Sequence, residues 1–216
     1  MEDIYIFINV SFISAALFMW LDYLKHRYYN DVKYDLVPLF HSVITGLPSY
    51  IVYIRNPNII EYLSETPSEM VSNYYKIIPC ITLGYGILDI YDSFRSKKMD
   101  FFLHGSIIIL GYGTMLYYDG LHLAFIGCIN ECSTIFLNIA KTTYTKILFF
   151  VVFTYIRFYL FPIIMYNYIH TNPYNNIHYY ITLTSFTFLT LLNYVWYKKM
   201  ITIMLNYSNK KHDINK

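Results

Sequence analysis

Long apolar runs, separated by short polar stretches, cover most of the chain. A helix needs about 20 predominantly apolar residues to cross the hydrocarbon core of a bilayer. Runs close to this length predict seven membrane-spanning helices, at residues 4–24, 36–54, 77–91, 101–118, 121–140, 147–169 and 177–197. The pattern therefore predicts an all-α, multi-pass transmembrane helical bundle.

The third run is the shortest, and polar residues such as Asp89 and Asp92 lie at its end. The positions of basic residues test whether it spans, because Lys and Arg near span ends prefer the cytoplasmic side. With seven spans and an outside N-terminus, most of the 16 Lys and Arg residues fall on the inner side, and the outer segments keep only Arg55 and Lys76. Six spans would break this alternation. We therefore predict an outside, lumenal N-terminus and a cytoplasmic C-terminus.

The polar segments suggest three parts of the chain. The first run begins almost at Met1 and lacks the basic region and cleavage site of a signal peptide, so residues 1–35 are predicted to be an anchor helix followed by a cytoplasmic loop. Residues 36–205 form the predicted transmembrane domain, with an outside loop and a short helix at 55–76. Residues 206–216 are rich in Asn and Lys and are predicted to be a disordered basic tail.

Composition agrees with a membrane protein, since 56% of the residues are hydrophobic and only 14% are charged. The net charge is +2, and no basic stripe with interleaved aromatics lies outside the predicted spans, so we expect no nucleic-acid partner. The three cysteines lie in apolar runs and give no disulfide framework. No Gly-rich phosphate loop, paired-cysteine motif or zinc-binding His-Glu-x-x-His motif occurs, and we expect neither a metal nor a cofactor.

Ionisable residues inside the predicted spans are the best guide to function, because each costs roughly 2.5–3.5 kcal/mol to insert. These residues are His41, Asp89, Asp92, Asp100, His104, Glu131 and Arg157. In the predicted topology the histidines and aspartates lie in the cytoplasmic half, where one cavity could hold them. His41 is the weakest candidate, since its small neighbours Ser42, Thr45 and Gly46 favour close helix packing.

Glu131 and Arg157 lie near the middle of adjacent predicted spans, at similar depth. A charge pair is the least costly arrangement for both, and it would either lock two helices together or hold a polar headgroup. Gly127, Glu131, Thr134 and Asn138 share one helix face, which is polar for nearly three turns. Packing alone rarely requires such a face, so Asn138 joins the candidates for lipid binding.

His104 follows Asp100 by four residues, so both side chains project from one helix face. The carboxylate could orient the imidazole, which would then be placed to act as a general base. The alternative is a histidine near the helix start that is wet from the cytoplasm.

In order and spacing, the residues from Asp89 to Tyr166, with the glycine pair just before them, resemble the TLC domain family, which includes ceramide synthases and lipid-homeostasis proteins. The pieces that carry the likeness are Gly84-Tyr85-Gly86, Asp100 to His104, Glu131 to Asn138, Arg157 to Pro162, and Met165-Tyr166. The resemblance implies a multi-pass membrane fold, an endoplasmic-reticulum or related endomembrane location, and membrane lipids as partners.

Two positions differ from the ceramide synthases within this resemblance. Those enzymes carry adjacent histidines where this chain has His104-Gly105, and paired aspartates where it has Glu131 and Ser133. Both differences weaken the case for N-acyl transfer. The Glu-x-Ser-x-x-Phe-Leu-Asn version is similar to a branch of the family that is associated with membrane lipid composition.

Three hypotheses follow. The leading one is a protein of membrane lipid homeostasis that binds or moves a lipid in an intramembrane polar cavity, with lipid contacts from Glu131, Arg157, Asn138, Asp89 and His41. The second is an acyl-CoA-dependent N-acyltransferase resembling ceramide synthase, which would use acyl-CoA and a sphingoid base. In that case His104 would be the general base and Asp100 would orient it. The third is a structural membrane protein, in which the buried charges lock helices.

Overall fold

The computed structural model describes residues 2–28, 35–171 and 177–214, with side chains described for 4–28, 35–171 and 177–204. Most of these residues are helical, and they contain no strand. The helices are α1 (Glu2–Tyr28), α2 (Leu36–Arg55), α3 (Ile59–Glu65), α4 (Tyr74–Ser96), α5 (Met99–Tyr117), α6 (Leu121–Cys128), α7 (Glu131–Ile139), α8 (Thr143–Thr154), α9 (Phe161–Thr171) and α10 (Ile177–Ile214). A 3₁₀ turn, Ser68–Met70, precedes α4, and a π-helical segment, Tyr155–Leu160, joins α8 to α9.

Six helical stretches among the described residues are long and apolar enough to cross a membrane: Ile4–Tyr28, Leu36–Arg55, Tyr74–Ser96, Met99–Tyr117, Leu121–Ile139 and Thr143–Thr171. They correspond to the first six predicted spans, including the short third one. The seventh predicted span, 177–197, lies within α10 and is helical, but its tyrosines and threonines make it less apolar than the other six. The prediction of an all-α, multi-pass bundle is confirmed.

Helix α4 lies at the centre of the bundle and packs against α1, α5, α6 and α2. The contact between α4 and α5 is close, since a Cβ atom on Gly105 would lie only 2.6 Å from the carbonyl oxygen of Gly86. Small residues allow membrane helices to approach in this way. The side chains that flank this contact are therefore brought close together.

The fifth and sixth spans are interrupted, although the sequence predicted both as continuous helices. The fifth breaks between α6 and α7 at Ile129 and Asn130, and the sixth contains the π-helical segment. Backbone groups freed inside a membrane need partners within the protein, so interruptions occur where polar groups gather. Both interruptions border the same region of the bundle, as the contacts of Arg157 show below.

The end of the chain differs from the prediction. Helix α10 continues to Ile214, so residues 206–214 have helical backbone where the sequence predicted a disordered tail. The physical reason is that no Pro or Gly occurs between 177 and 214 to end the helix. The predicted loop residues 29–34 and the last two residues of the tail lie outside the described residues.

Candidate functional site

His104 and Asp89 form a buried pair across the close contact between α5 and α4. The Nδ1 atom of His104 lies 2.6 Å from Oδ2 of Asp89. A carboxylate only accepts hydrogen bonds, so Nδ1 carries the hydrogen, and the ring is fixed with Nε2 pointing away from Asp89. A histidine held by a carboxylate in this way is suited to receive a proton or a hydrogen bond at Nε2.

Asp100 does not orient His104, and that part of the prediction is wrong. Its carboxylate accepts a hydrogen bond from Nζ of Lys199 on α10, at 3.1 Å. The four-residue spacing correctly placed Asp100 on the His104 face, but the contact between α4 and α5 brings the Asp89 carboxylate to the imidazole instead. Asp100 lies at the helix start, within reach of solvent.

Glu131, the first residue of α7, lies between two histidines. Its Oε1 atom is 3.7 Å from Nε2 of His104, and its Oε2 atom is 3.8 Å from Nδ1 of His41. Both separations exceed hydrogen-bond length. The hydroxyl of Thr134 donates to Oε2 at 3.2 Å. Glu131 is therefore buried, and its carboxylate can accept further hydrogen bonds.

Arg157 lies in the π-helical segment and donates hydrogen bonds from all three of its side-chain nitrogens. Its Nε donates to Ser133 at 2.9 Å, Nη1 donates to Oδ1 of Asn193 at 2.6 Å, and Nη2 donates to the carbonyl of Asn130 at 3.3 Å. The rings of Phe153 and Trp196 lie 5.0 and 5.2 Å from the guanidinium carbon. These contacts anchor three separate segments, α7, α8 and α10, around one cation.

The direct Glu131–Arg157 ion pair suggested by the sequence does not form in the described structure. Arg157 instead reaches the hydroxyl of Thr134 at 3.5 Å, and that hydroxyl donates to Glu131. At the break before α7 the guanidinium donates to the carbonyl of Asn130, which also accepts from the backbone N–H and the hydroxyl of Ser133. The two charges are thus linked through Thr134.

His41 supports the site from outside it. The side chain is 0% exposed and its ring stacks on Tyr85, with centroids 4.0 Å apart and planes inclined by 3°. Its Nε2 atom lies 3.2 Å from the hydroxyl of Thr82. His41 reaches neither cavity described below, so the structure places it behind Glu131 and gives it no surface for a ligand.

A cavity of about 290 Å³, here called the polar chamber, contains most of the predicted site residues. Its deep wall is formed by Asp89, His104, Glu131, Asn138 and Arg157. Its mouth, at the end of the bundle where α4 ends and α5 begins, is bordered by Asp35, Asp100 and Lys199. The basic-residue pattern predicts that this end faces the cytoplasm.

A second cavity of about 80 Å³, here called the apolar chamber, extends from the same two side chains toward the other end of the bundle. It is bounded by α5, α6, α9 and α10, and Ile108, Met115, Leu123, Phe161 and Phe186 are among its walls. His104 and Glu131 line both chambers. They therefore stand at the junction between a polar space and an apolar one.

Sequence reasoning missed Asn193 and Trp196 on α10, which hold and cover Arg157. Asn193 is 0% exposed and lies inside the seventh predicted span, so the rule that selected Asn138 could have found it. Among residues 4–28, 35–171 and 177–204, no group of three or more His, Cys, Asp and Glu side chains is arranged to hold a metal ion.

A bundle of apolar helices of membrane-crossing length, with charged side chains gathered in its interior, defines a polytopic integral membrane protein. Residues 31–202 match the family model described as TLC domain, and the chain belongs to the TLC domain family. No curated protein and no solved structure matches the chain at a significant level.

Proposed function

We propose that this protein binds a membrane lipid, with the headgroup in the polar chamber and one acyl chain in the apolar chamber, and that it serves membrane lipid homeostasis. The observation that carries the proposal is that the two chambers meet at His104 and Glu131. An amphipathic molecule needs such a polar space joined to an apolar one. An endoplasmic-reticulum or related endomembrane location belongs to the same proposal.

The headgroup is one that donates hydrogen bonds, such as an amine or a hydroxyl. Arg157 has its donors engaged, and Asp89 is paired with His104. Glu131 retains acceptor positions beside the shared junction, because its two histidine neighbours lie 3.7 and 3.8 Å away and Thr134 donates to one oxygen. A donor group on the lipid would satisfy it, and Asn138 lies in the same wall.

A second candidate, N-acyl transfer from acyl-CoA to a sphingoid base, is favoured by the Asp89–His104 pair. His104 would accept the proton from the attacking amine as the nitrogen bonds to the thioester carbon, and would return it to the sulfur as the C–S bond breaks and the thiol leaves. Against it stands Gly105, at the position of the second histidine of ceramide synthases. A Cβ atom there would lie 2.6 Å from the Gly86 carbonyl oxygen, so no second imidazole can be accommodated.

A purely structural role, the third hypothesis, gives no reason for the chambers. Protein interiors are close-packed, and helices that only lock together would fill such spaces with side chains.

The test is lipid retention by purified protein. Protein in mild detergent is incubated with a total membrane lipid extract and washed, and the bound lipid is quantified by mass spectrometry. We expect wild type to retain a discrete lipid class, and Glu131→Gln to lose most of it. Glu61→Gln, which removes an exposed carboxylate on α3, is the matched control. Equal retention by both variants would contradict the proposal.

The same preparation separates the second candidate from the first. Labelled acyl-CoA and a sphingoid base are added, with His104→Ala and Asp100→Asn alongside. Product that disappears in His104→Ala and persists in Asp100→Asn would favour the acyltransferase, since Asp89 is the partner of His104. No product from protein that retains lipid would favour binding or transport.

A further inference from the structure

A groove lies on the outside of the bundle along the seam between α5 and α10. It has a volume of about 310 Å³ and includes Leu110, Tyr180 and Phe188. Their side chains are 70%, 54% and 56% exposed, and α5 is a membrane-spanning helix. The surroundings of this groove, here called the lateral groove, are therefore the hydrocarbon of the bilayer.

The lateral groove and the apolar chamber lie on opposite sides of one thin wall. Ile107, Gly111 and Ser185 line both of them. The wall is closed where α10 meets α5, because a Cβ atom on Gly111 would lie 2.7 Å from Oγ of Ser185. This contact consists of one hydroxyl against a glycine, and Ile107 is the larger side chain beside it in the wall.

Helix α10 approaches α5 most closely among the described residues, whereas α4 packs against four helices. Its side chains also contact α9, since the rings of Phe186 and Phe161 have centroids 4.9 Å apart. Toward the polar chamber α10 is anchored by Asn193 on Arg157 and by Lys199 on Asp100. Ser185 lies two turns or more before these anchors, so the seam can widen there while the polar contacts persist.

We infer that the seam between α5 and α10 is the lateral entrance through which an acyl chain of a bilayer lipid enters the apolar chamber, with Gly111 and Ser185 as its closing contact. This inference rests on the proposed function. It assigns the route by which the acyl chain enters. The headgroup moves along the same seam to the polar chamber.

A reversible lock tests the entrance. In Gly111→Cys/Ser185→Cys the two Cβ atoms are placed about 3.4 Å apart, close to the separation found in disulfides. The full chain is reconstituted in phosphatidylcholine vesicles with a ceramide that carries a diazirine near the end of its acyl chain. Samples are irradiated at successive times, and labelled peptides from the apolar chamber are counted by mass spectrometry.

We expect oxidation to slow chamber labelling at least tenfold, and reduction to restore it. Wild type, whose three cysteines are buried, should be indifferent to the same oxidant. Labelling of the locked protein at the wild-type rate would overturn the entrance while leaving the proposed function intact. Failure of wild type to label the chamber at all would overturn both.

A second variant keeps the test open if the double cysteine protein does not fold. Ser185→Ala removes the hydroxyl that meets Gly111, and we expect it to speed labelling severalfold. Thr187→Ala, two residues further along α10 and exposed, is the matched control. No difference between these two variants would also overturn the entrance.

Discussion

The polar and apolar chambers share two side chains, but they are built in opposite ways. In the polar chamber Asp89, His104 and Arg157 are each fixed by hydrogen bonds from a neighbouring helix. The apolar chamber is bounded by side chains such as Met115 and Phe161, whose contacts have no directional requirement. Under the proposed function, this difference predicts that the site selects a headgroup strictly and accepts acyl chains with more tolerance.

The largest expected effect is beside the polar chamber, at Gly46. Helix α2 crosses α7 so closely that a Cβ there would overlap the backbone of Glu131 and Cys132, which cannot rotate away. We expect Gly46→Ala to cost about 3 kcal/mol of stability and to abolish lipid retention. Thermal unfolding in detergent measures it. Gly113→Ala is the control, because nothing lies within 4 Å of a Cβ at Gly113, and equal melting temperatures would refute the expectation.

A smaller loss is expected from Arg157→Lys. Lysine keeps the charge but lacks the planar fork that reaches Ser133, Asn193 and the Asn130 carbonyl together. Leaving these groups unpaired should lower the free energy of unfolding by about 2 kcal/mol. Arg55→Lys, at the exposed end of α2, controls for the substitution itself. If both variants melt together, the fork is not what stabilises the interrupted spans.

His41→Phe probes support from behind the site. Phenylalanine can keep the stacking on Tyr85 but loses the approach to Glu131 and the contact with Thr82. We expect lipid affinity to fall about fivefold, equivalent to about 1 kcal/mol, with little change in melting temperature. Unchanged affinity, measured by titration with the lipid that wild type retains, would show that Glu131 needs no support from His41.

The smallest effect on stability is expected in the apolar chamber, from Met115→Trp. The larger ring would shorten the apolar chamber, so the retained lipids should shift to shorter chains while their headgroup class stays the same. The chain-length profile of copurified lipid is the measurement. Met70→Trp, at a residue that is 72% exposed, is the control. A change of headgroup class would mean that the two chambers do not act separately.

The sequence predicted the helices well because membrane-crossing length and apolar composition are local properties. It also selected Asp89, His104, Glu131, Asn138 and Arg157, which the bundle gathers around one cavity, since burying such groups is costly at any position. The cost of burial identifies which residues belong to the site, but it does not predict which residues they contact.

Partners were predicted less well because they depend on how helices cross. Because α4 and α5 meet closely at Gly86 and Gly105, His104 pairs with Asp89 and not with Asp100. The ion pair of Glu131 with Arg157 was wrong because the break before α7 and the π-helical segment redirect the guanidinium. Pro162 follows the π-helical segment and offers no N–H to the carbonyl of Phe158, so it is a local signal that the sequence reading did not use. The break at Ile129 and Asn130 has no Pro or Gly at the break itself.

The π-helical segment gives the sixth span one surplus residue relative to a regular α-helix, which has 3.6 residues per turn. Winding the same residues as a regular α-helix, without the wide π-helical turn, would rotate all of α9 by about 100° relative to α8. Phe161 and Met165 would then leave the apolar chamber while Arg157 stayed in the polar one. The surplus residue thus sets the rotation of α9 relative to Arg157, so that one span contributes side chains to both the polar and the apolar chamber.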